Sequence, residues 1–217
     1  MTKRGREPVP EDLPEGTAPE ERRPARIRMV AARRLDGLAV VLDGVHDPHN
    51  ISAVLRSCDG FGVQNVHLIG LSARPNRAIC MGCDKWLTLH RYDSPADCVA
   101  ALRAANYQLW AAMPDREAPS LEEIDFSKKI ALVFGAERDG LSDELLRACD
   151  GRYQIYMPGF SESLNVSVAA AISIYVAARE RRKSVAAPTD MTEAGINALA
   201  QRWLDLDAQR RAGRPVT

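Results

Sequence analysis

Apolar positions along this chain fall into short blocks whose period switches between that of a strand and that of a helix. Leu38-Ala-Val-Val-Leu42 is an unbroken apolar run of strand length, closed by Asp43-Gly44. After it Pro48 and Asn50 open a segment in which Ile51, Val54, Leu55 and Cys58 recur at i, i+3, i+4 and i+7, the stripe of a helix buried on one side. Ser52, Arg56 and Asp59 fall on another face, and Gly60 and Gly62 close the segment. Further strands are expected at 66–69, 108–112, 130–134 and 153–157, with helices at 97–106, at 142–148 (capped by Ser142) and at 165–182. Regular alternation of this kind predicts an α/β domain on a mainly parallel sheet with helices on both faces.

The ends read differently. Residues 1–21 mix prolines with charge and read as a flexible tail. A basic N-terminal helix is expected over 22–36, the α/β domain over 37–184, and a C-terminal helix over 189–212, where Ile196, Leu199, Trp203 and Leu206 share a face. A length of 217 residues with 46% apolar content suits one medium domain with appendages. No apolar run is long enough to span a bilayer, and none follows the N-terminus as in a signal peptide, so a cytoplasmic protein is expected.

Five cysteines, Cys58, Cys80, Cys83, Cys98 and Cys149, form an odd set without a secretory signal, which argues against a disulfide framework. Cys80 and Cys83 make a C-x-x-C, but no second pair stands at zinc-site spacing, and no metal is expected. The net charge is zero, yet its distribution is uneven. Six arginines and no acid lie between Arg22 and Arg34; Arg179, Arg181, Arg182 and Lys183 form a second cluster, and Arg210, Arg211 and Arg214 a third. Basic runs are usually solvated helix faces; three of them make an RNA partner a reading to carry forward.

In an open α/β sheet, ligands bind beyond the carboxyl ends of the strands. Three loops there hold the unusual residues: 43–50 leading to Arg56, 135–140, and 157–167. None contains a dinucleotide or P-loop glycine fingerprint, and no G-x-S-x-G elbow appears.

Here the chain resembles a known family. Val40-Val-Leu-Asp-Gly-Val-His-Asp-Pro-His-Asn-Ile-Ser-Ala-Val-Leu-Arg-Ser-Cys-Asp59 is similar to the first motif of the TrmH-type (SpoU) RNA 2′-O-methyltransferases of the SPOUT superfamily. Leu132-Val-Phe-Gly-Ala-Glu137 is similar to their second motif, and the stretch centred on Ser163-Leu-Asn-Val-Ser-Val-Ala169 to their third, in the family's order. The resemblance implies a C-terminal deep trefoil knot, an exception to the rule that chains do not thread loops. It implies S-adenosyl-L-methionine as cofactor, held by Gly135, Ile155, Leu164 and Ala112, and a homodimer whose site draws on both subunits.

Arg56 matches the family's catalytic arginine. A base role has been assigned there, but a guanidinium gives up its proton poorly. The reading adopted is that Arg56 holds an RNA phosphate and stabilises the developing alkoxide. Asn50 would orient Arg56 or the RNA backbone; Ser163 and Asn165, opening the last helix of the domain, would hold ribose or phosphate oxygens; Glu137 would shape the site. Each polar residue has a plainer reading as a loop or cap residue. Arg179 and Arg181, with Arg33 and Arg34 of the N-terminal cluster, are expected to contact RNA phosphate; His46 and His49 are structural or RNA-facing.

Only about 37 residues precede the first strand, too few for the separate RNA-binding domain common among family members acting on 23S ribosomal RNA. Short basic helices at both ends are similar to the tRNA enzymes that methylate guanosine 18 in the D-loop, so tRNA is the expected substrate. One departure is Ser161-Glu162, where the tRNA enzymes usually carry Val-Gln. Other readings are a ribosomal RNA 2′-O-methyltransferase and a catalytically silent RNA-binding member. A doubly wound small-molecule enzyme lacks its phosphate fingerprint here.

Overall fold

β1 (Leu35–Asp43) is buried along nearly its whole length, which is why it reads as a continuous apolar run rather than an alternating one. The computed structural model describes residues 18–70, 82–136 and 138–212, in two compact units: Leu35–Asp190, and a second made from the chain before and after it. In the larger unit β1 joins β2 (Val63–Ile69), β3 (Thr88–Tyr92), β4 (Gln108–Ala112), β5 (Ile130–Gly135) and β6 (Gly151–Tyr153) in a sheet of order β3-β2-β1-β5-β4-β6. Every neighbouring pair is parallel.

Both faces are covered. Leu38, Val40 and Leu42 of β1 share a core with Ile51, Val54, Leu55 and Cys58 of α2 (Pro48–Phe61) and with Ala170, Ile174 and Ala177 of α5 (Val166–Val185). Ala39 and Val41 point the other way, into a second core with Cys98 and Leu102 of α3 (Pro95–Ala104) and Leu145 of α4 (Asp143–Ala148). The odd–even split along β1 is the two-residue side-chain period of a strand.

Local chemistry sets the helix ends. Asp47 caps α2 by accepting from the His49 amide at 2.8 Å, Pro48 takes the first turn, and Gly62 ends it at φ 85°. Ser94 caps α3, accepting from the Asp97 amide at 3.2 Å. Ser142 stands at the start of α4 as expected, but its hydroxyl makes no capping bond.

An ion pair fastens the tail of the larger unit to its first strand. The Asp190 carboxylate accepts from the amides of Asp36 (2.6 Å) and Gly37 (2.8 Å) and from Arg181 Nε (2.6 Å). Arg181 Nη1 donates to the carbonyls of Phe126 (3.0 Å), Ser127 (2.9 Å) and Lys128. A Cβ at residue 37 would lie 1.9 Å from that guanidinium, so a side chain there would displace the Arg181–Asp190 pair.

The smaller unit pairs α1 (Pro19–Ala31) with α6 (Glu193–Arg211). Asp207 of α6 takes Arg23 Nε at 2.7 Å and Arg211 Nε at 3.1 Å. Arg34 lies over the Trp203 ring, 5.0 Å from its centre.

Several elements differ from expectation, β1 and β2 among them, which begin at Leu35 and Val63 rather than at 38 and 66. β3 was not anticipated: Thr-Leu-His-Arg-Tyr is an edge strand and carries no apolar run. The last strand is Gly151–Tyr153 rather than 153–157, because the chain turns away to line a cavity. The first helix begins at Pro19 rather than 22, and the last at Glu193 rather than 189. Residues 1–17 of the expected tail, and Cys80, lie outside the described residues.

Candidate active site

The chain leaving β4, β5 and β6 and the first turn of α5 enclose a cavity of about 550 Å³. Ala112 and Met113 line it from β4, residues Phe134 to Ala136 and Arg138 to Leu141 from β5, Tyr153, Ile155 and Met157 from β6, and Ser163 to Val166 from α5. All four residues expected at the cofactor, Ala112, Gly135, Ile155 and Leu164, are brought together here, with Ser163 and Asn165 beside them.

The wall after β5 is folded tightly. Ala136 and Gly140 exchange backbone hydrogen bonds at 3.0 and 2.9 Å, and Gly140 turns the chain at φ 69°. A Cβ on Gly135 would fall 2.2 Å from the Gly140 carbonyl carbon, so no side chain is tolerated. Asp43, buried at the end of β1, holds the far side of this loop by accepting from the Ser142 amide at 2.8 Å. Glu137 lies outside the described residues.

On the opposite wall Asn165 is the cap of α5. Its Oδ1 accepts from the amide of Ser167 at 2.9 Å, while its amide nitrogen donates to Asn50 Oδ1 at 3.2 Å. The first and third motifs therefore meet through two asparagines. Below them the Tyr153 hydroxyl donates to Ser173 Oγ at 3.0 Å; burial pushes the phenol up from its ordinary range, so it stays neutral.

Arg56 is not part of this cavity. It sits exposed on α2, six residues beyond Asn50, roughly 9 Å along the axis. His46 and His49 are exposed. Arg179 is exposed on α5, paired with Glu180 at 2.9 Å, with its guanidinium 5.7 Å from the Tyr175 ring centre.

Two expected RNA contacts are corrected. The Arg181 side chain is only 8% exposed and is turned inward to Asp190 and three carbonyls, so it is not presented to a phosphate. Arg34 is 1% exposed against Trp203. Helical spacing explains the first error: Arg181 is three and seven residues on from Ala178 and Ile174, on the buried side of α5. Arg33 is half-buried.

Sequence reasoning also passed over functional-looking features. Asp43 lies in the first of the three loops but has no role in the sequence reading, although a carboxylate closing a buried strand is a usable signal. Arg138 and Asp139 line the cavity without having been given a role. On α5, Val168, Ile172 and Tyr175 form an exposed apolar stripe, extended by Phe61, whose ring meets Tyr175 edge-on at 5.4 Å.

The SpoU rRNA methylase family model matches residues 37–175, which hold every strand of the sheet but the first two residues of β1. This chain belongs to that family. The tRNA (guanosine(18)-2′-O)-methyltransferase of Aquifex aeolicus is 32% identical over 201 residues, 91% of this chain and 95% of the relative. The crystal structure of the A. aeolicus TrmH/SpoU tRNA modifying enzyme superposes with a TM-score of 0.78 at 32% identity, over 86% of this chain and 97% of that one. The SpoU methyltransferase AviRb from Streptomyces viridochromogenes, in complex with the cofactor AdoMet, gives 0.61 at 31% identity, over 69% and 62%. Membership in the SpoU family implies the trefoil knot.

S-adenosylmethionine is the cofactor of this SpoU chain, and the cavity fits it. Its size lies in the range of small-molecule sites. Its lining combines apolar side chains and loop backbone with the polar side chains of Arg138, Asp139, Ser163 and Asn165, which suits an adenosine face with polar edges and explains a site without a glycine fingerprint. Among the described residues no helix is long and apolar enough to cross a membrane.

Proposed function

We propose that this chain transfers a methyl group to the ribose 2′-oxygen of tRNA, at the D-loop guanosine 18, in the cytoplasm and as a homodimer. The observation that carries the reading is the meeting of Asn50 with Asn165 beside the cofactor cavity, which brings the first motif to the third. A. aeolicus supplies the substrate class: its relative is named for guanosine 18 of tRNA and is matched nearly end to end. The smaller unit adds exposed arginines, Arg22, Arg26 and Arg28 on α1 and Arg202, Arg210 and Arg211 on α6, the kind of surface that holds phosphates without reading sequence.

Ala112, Gly135, Ile155 and Leu164 hold the cofactor, which when bound supplies a methyl carbon activated by a sulfonium. The protein's task is then to position the 2′-hydroxyl in line and ease loss of its proton. Ser163 and Asn165 hold ribose oxygens at the first turn of α5, and Asn50 keeps the Asn165 amide turned. Glu137 shapes the same wall. Arg56 holds a phosphate and stabilises charge on the attacking oxygen, with Arg179 and Arg33 as outer phosphate contacts.

A second copy seated on Val168, Ile172, Tyr175 and Phe61 accounts for both the exposed stripe and the distance of Arg56 from the cavity: each site takes its arginine from the neighbouring subunit. Labelled methyl transfer to bulk tRNA and, separately, to ribosomal RNA tests the reading, with nuclease mapping of the product. A 2′-O-methylated D-loop is expected. Label in ribosomal RNA alone would keep the chemistry and overturn the substrate; label in neither would revive a silent RNA-binding role.

A further inference from the structure

Ile155, Met157 and Ser163 line the cofactor cavity, while Tyr156 and Phe160 do not, so the stretch that carries these two rings runs beside the cavity between residues of its wall. Two aromatic rings stand there, and both face solvent. Phe160 is 108% exposed, as open as in an extended peptide, and Tyr156 is 75% exposed. Neither stacks on another ring, and neither belongs to either core of the larger unit, among the described residues. Leaving a phenylalanine in water forfeits the burial that normally justifies it. Pro158 and Gly159 carry the chain out to Phe160 in a short projecting loop.

We propose that Phe160, assisted by Tyr156, is the stacking platform for the base of the nucleotide being methylated. The inference rests on the RNA methyltransferase reading. A ribose whose 2′-oxygen enters the cavity has its base attached at the adjacent carbon, so the base must lie beside the cavity, where these rings are. Aromatic faces accept any base, and stacking of this kind contributes enough that its loss weakens single-stranded RNA binding about tenfold or more. Arg138 lines the same cavity and adds positive charge to it. Phe160 thus acts on substrate placement and leaves the cofactor walls alone.

The test compares Phe160→Ala, Phe160→Trp and wild type. Each is measured against a full-length tRNA and against the same tRNA lacking only the base at the methylated position, which mapping on wild type identifies. In S-adenosylhomocysteine, Phe160→Ala is expected to raise Kd for intact tRNA about tenfold, to leave Kd for the abasic tRNA as in wild type, and to keep S-adenosylmethionine binding. Phe160→Trp is expected to hold or improve affinity. Equal weakening toward both RNAs, unchanged affinity for intact tRNA, or a dimer lost in sedimentation would each overturn the platform. Failure of wild type to methylate tRNA would overturn the underlying reading, and the platform with it.

Discussion

The side-chain amide of Asn165 donates to Asn50 Oδ1 at 3.2 Å while its carbonyl oxygen caps α5 through Ser167. One residue thus has two separable duties. Asn165→Asp keeps the capping acceptor and removes the donor; Asn165→Ala removes both. Loss of a cap costs about 1 kcal/mol, so only the alanine variant is expected to lower the melting temperature. Both are expected to slow methyl transfer about a hundredfold, because Asn50 and the first turn of α5 lose their relative placement. An aspartate variant turning over at the wild-type rate would remove the bridge from the mechanism.

Arg181 and Asp190 make a different kind of prediction. Their pair is buried and supported by two amides and three carbonyls, so removing one partner strands the other. Arg181→Gln is expected to destabilise the larger unit by about 3–5 kcal/mol, read by urea unfolding. The salt dependence of tRNA binding should stay as in wild type, since Arg181 neutralises no phosphate. A shallower salt slope in this variant would restore it to the RNA interface.

His67 links stability to acid. Its ring stacks on His90 at 4.5 Å and on Tyr92 at 5.7 Å, and Nδ1 lies 3.1 Å from the Tyr92 hydroxyl. Burial first, and the neighbouring His90 second, lower its pKa from 6.5 to about 3. Between those values the unfolded chain takes up a proton that the folded protein refuses. Stability from this residue is therefore complete above pH 6.5 and is lost as pH falls toward 3, with a slope approaching about 1.4 kcal/mol per unit. His67→Phe should flatten unfolding free energy across that window; an unchanged pH profile would show that His67 is not its source.

What could be read from the chain beforehand depended on how each residue's signal arises. β1, α2 and α5 carry long apolar patterns, and those elements were found where the pattern placed them. That Gly135, Ile155 and Leu164 line one cavity was legible through the family resemblance, although no local spacing relates them. β3 was missed because an edge strand buries little, and Arg181 was misplaced because a cluster of basic letters does not say which side of the helix each one takes. Asp43 holds the Ser142 amide, 99 residues away, a contact the parallel pairing of β1 with β5 creates.

Arg56 gives the sharpest prediction, because it lies outside the cavity that holds the cofactor. Arg56→Ala is expected to abolish methyl transfer and to leave S-adenosylmethionine binding near wild type by calorimetry. Gly135→Ala should do the reverse of the second part: its Cβ collides with Gly140 and the cofactor site is lost. If each site combines one subunit's cavity with the other subunit's arginine, refolding the two inactive variants together produces mixed dimers with one intact site. Equal mixing makes half the dimers mixed, so about a quarter of wild-type activity should return. A mixture as inactive as its parents, with dimers shown to have exchanged, would place Arg56 and the cofactor in the same subunit.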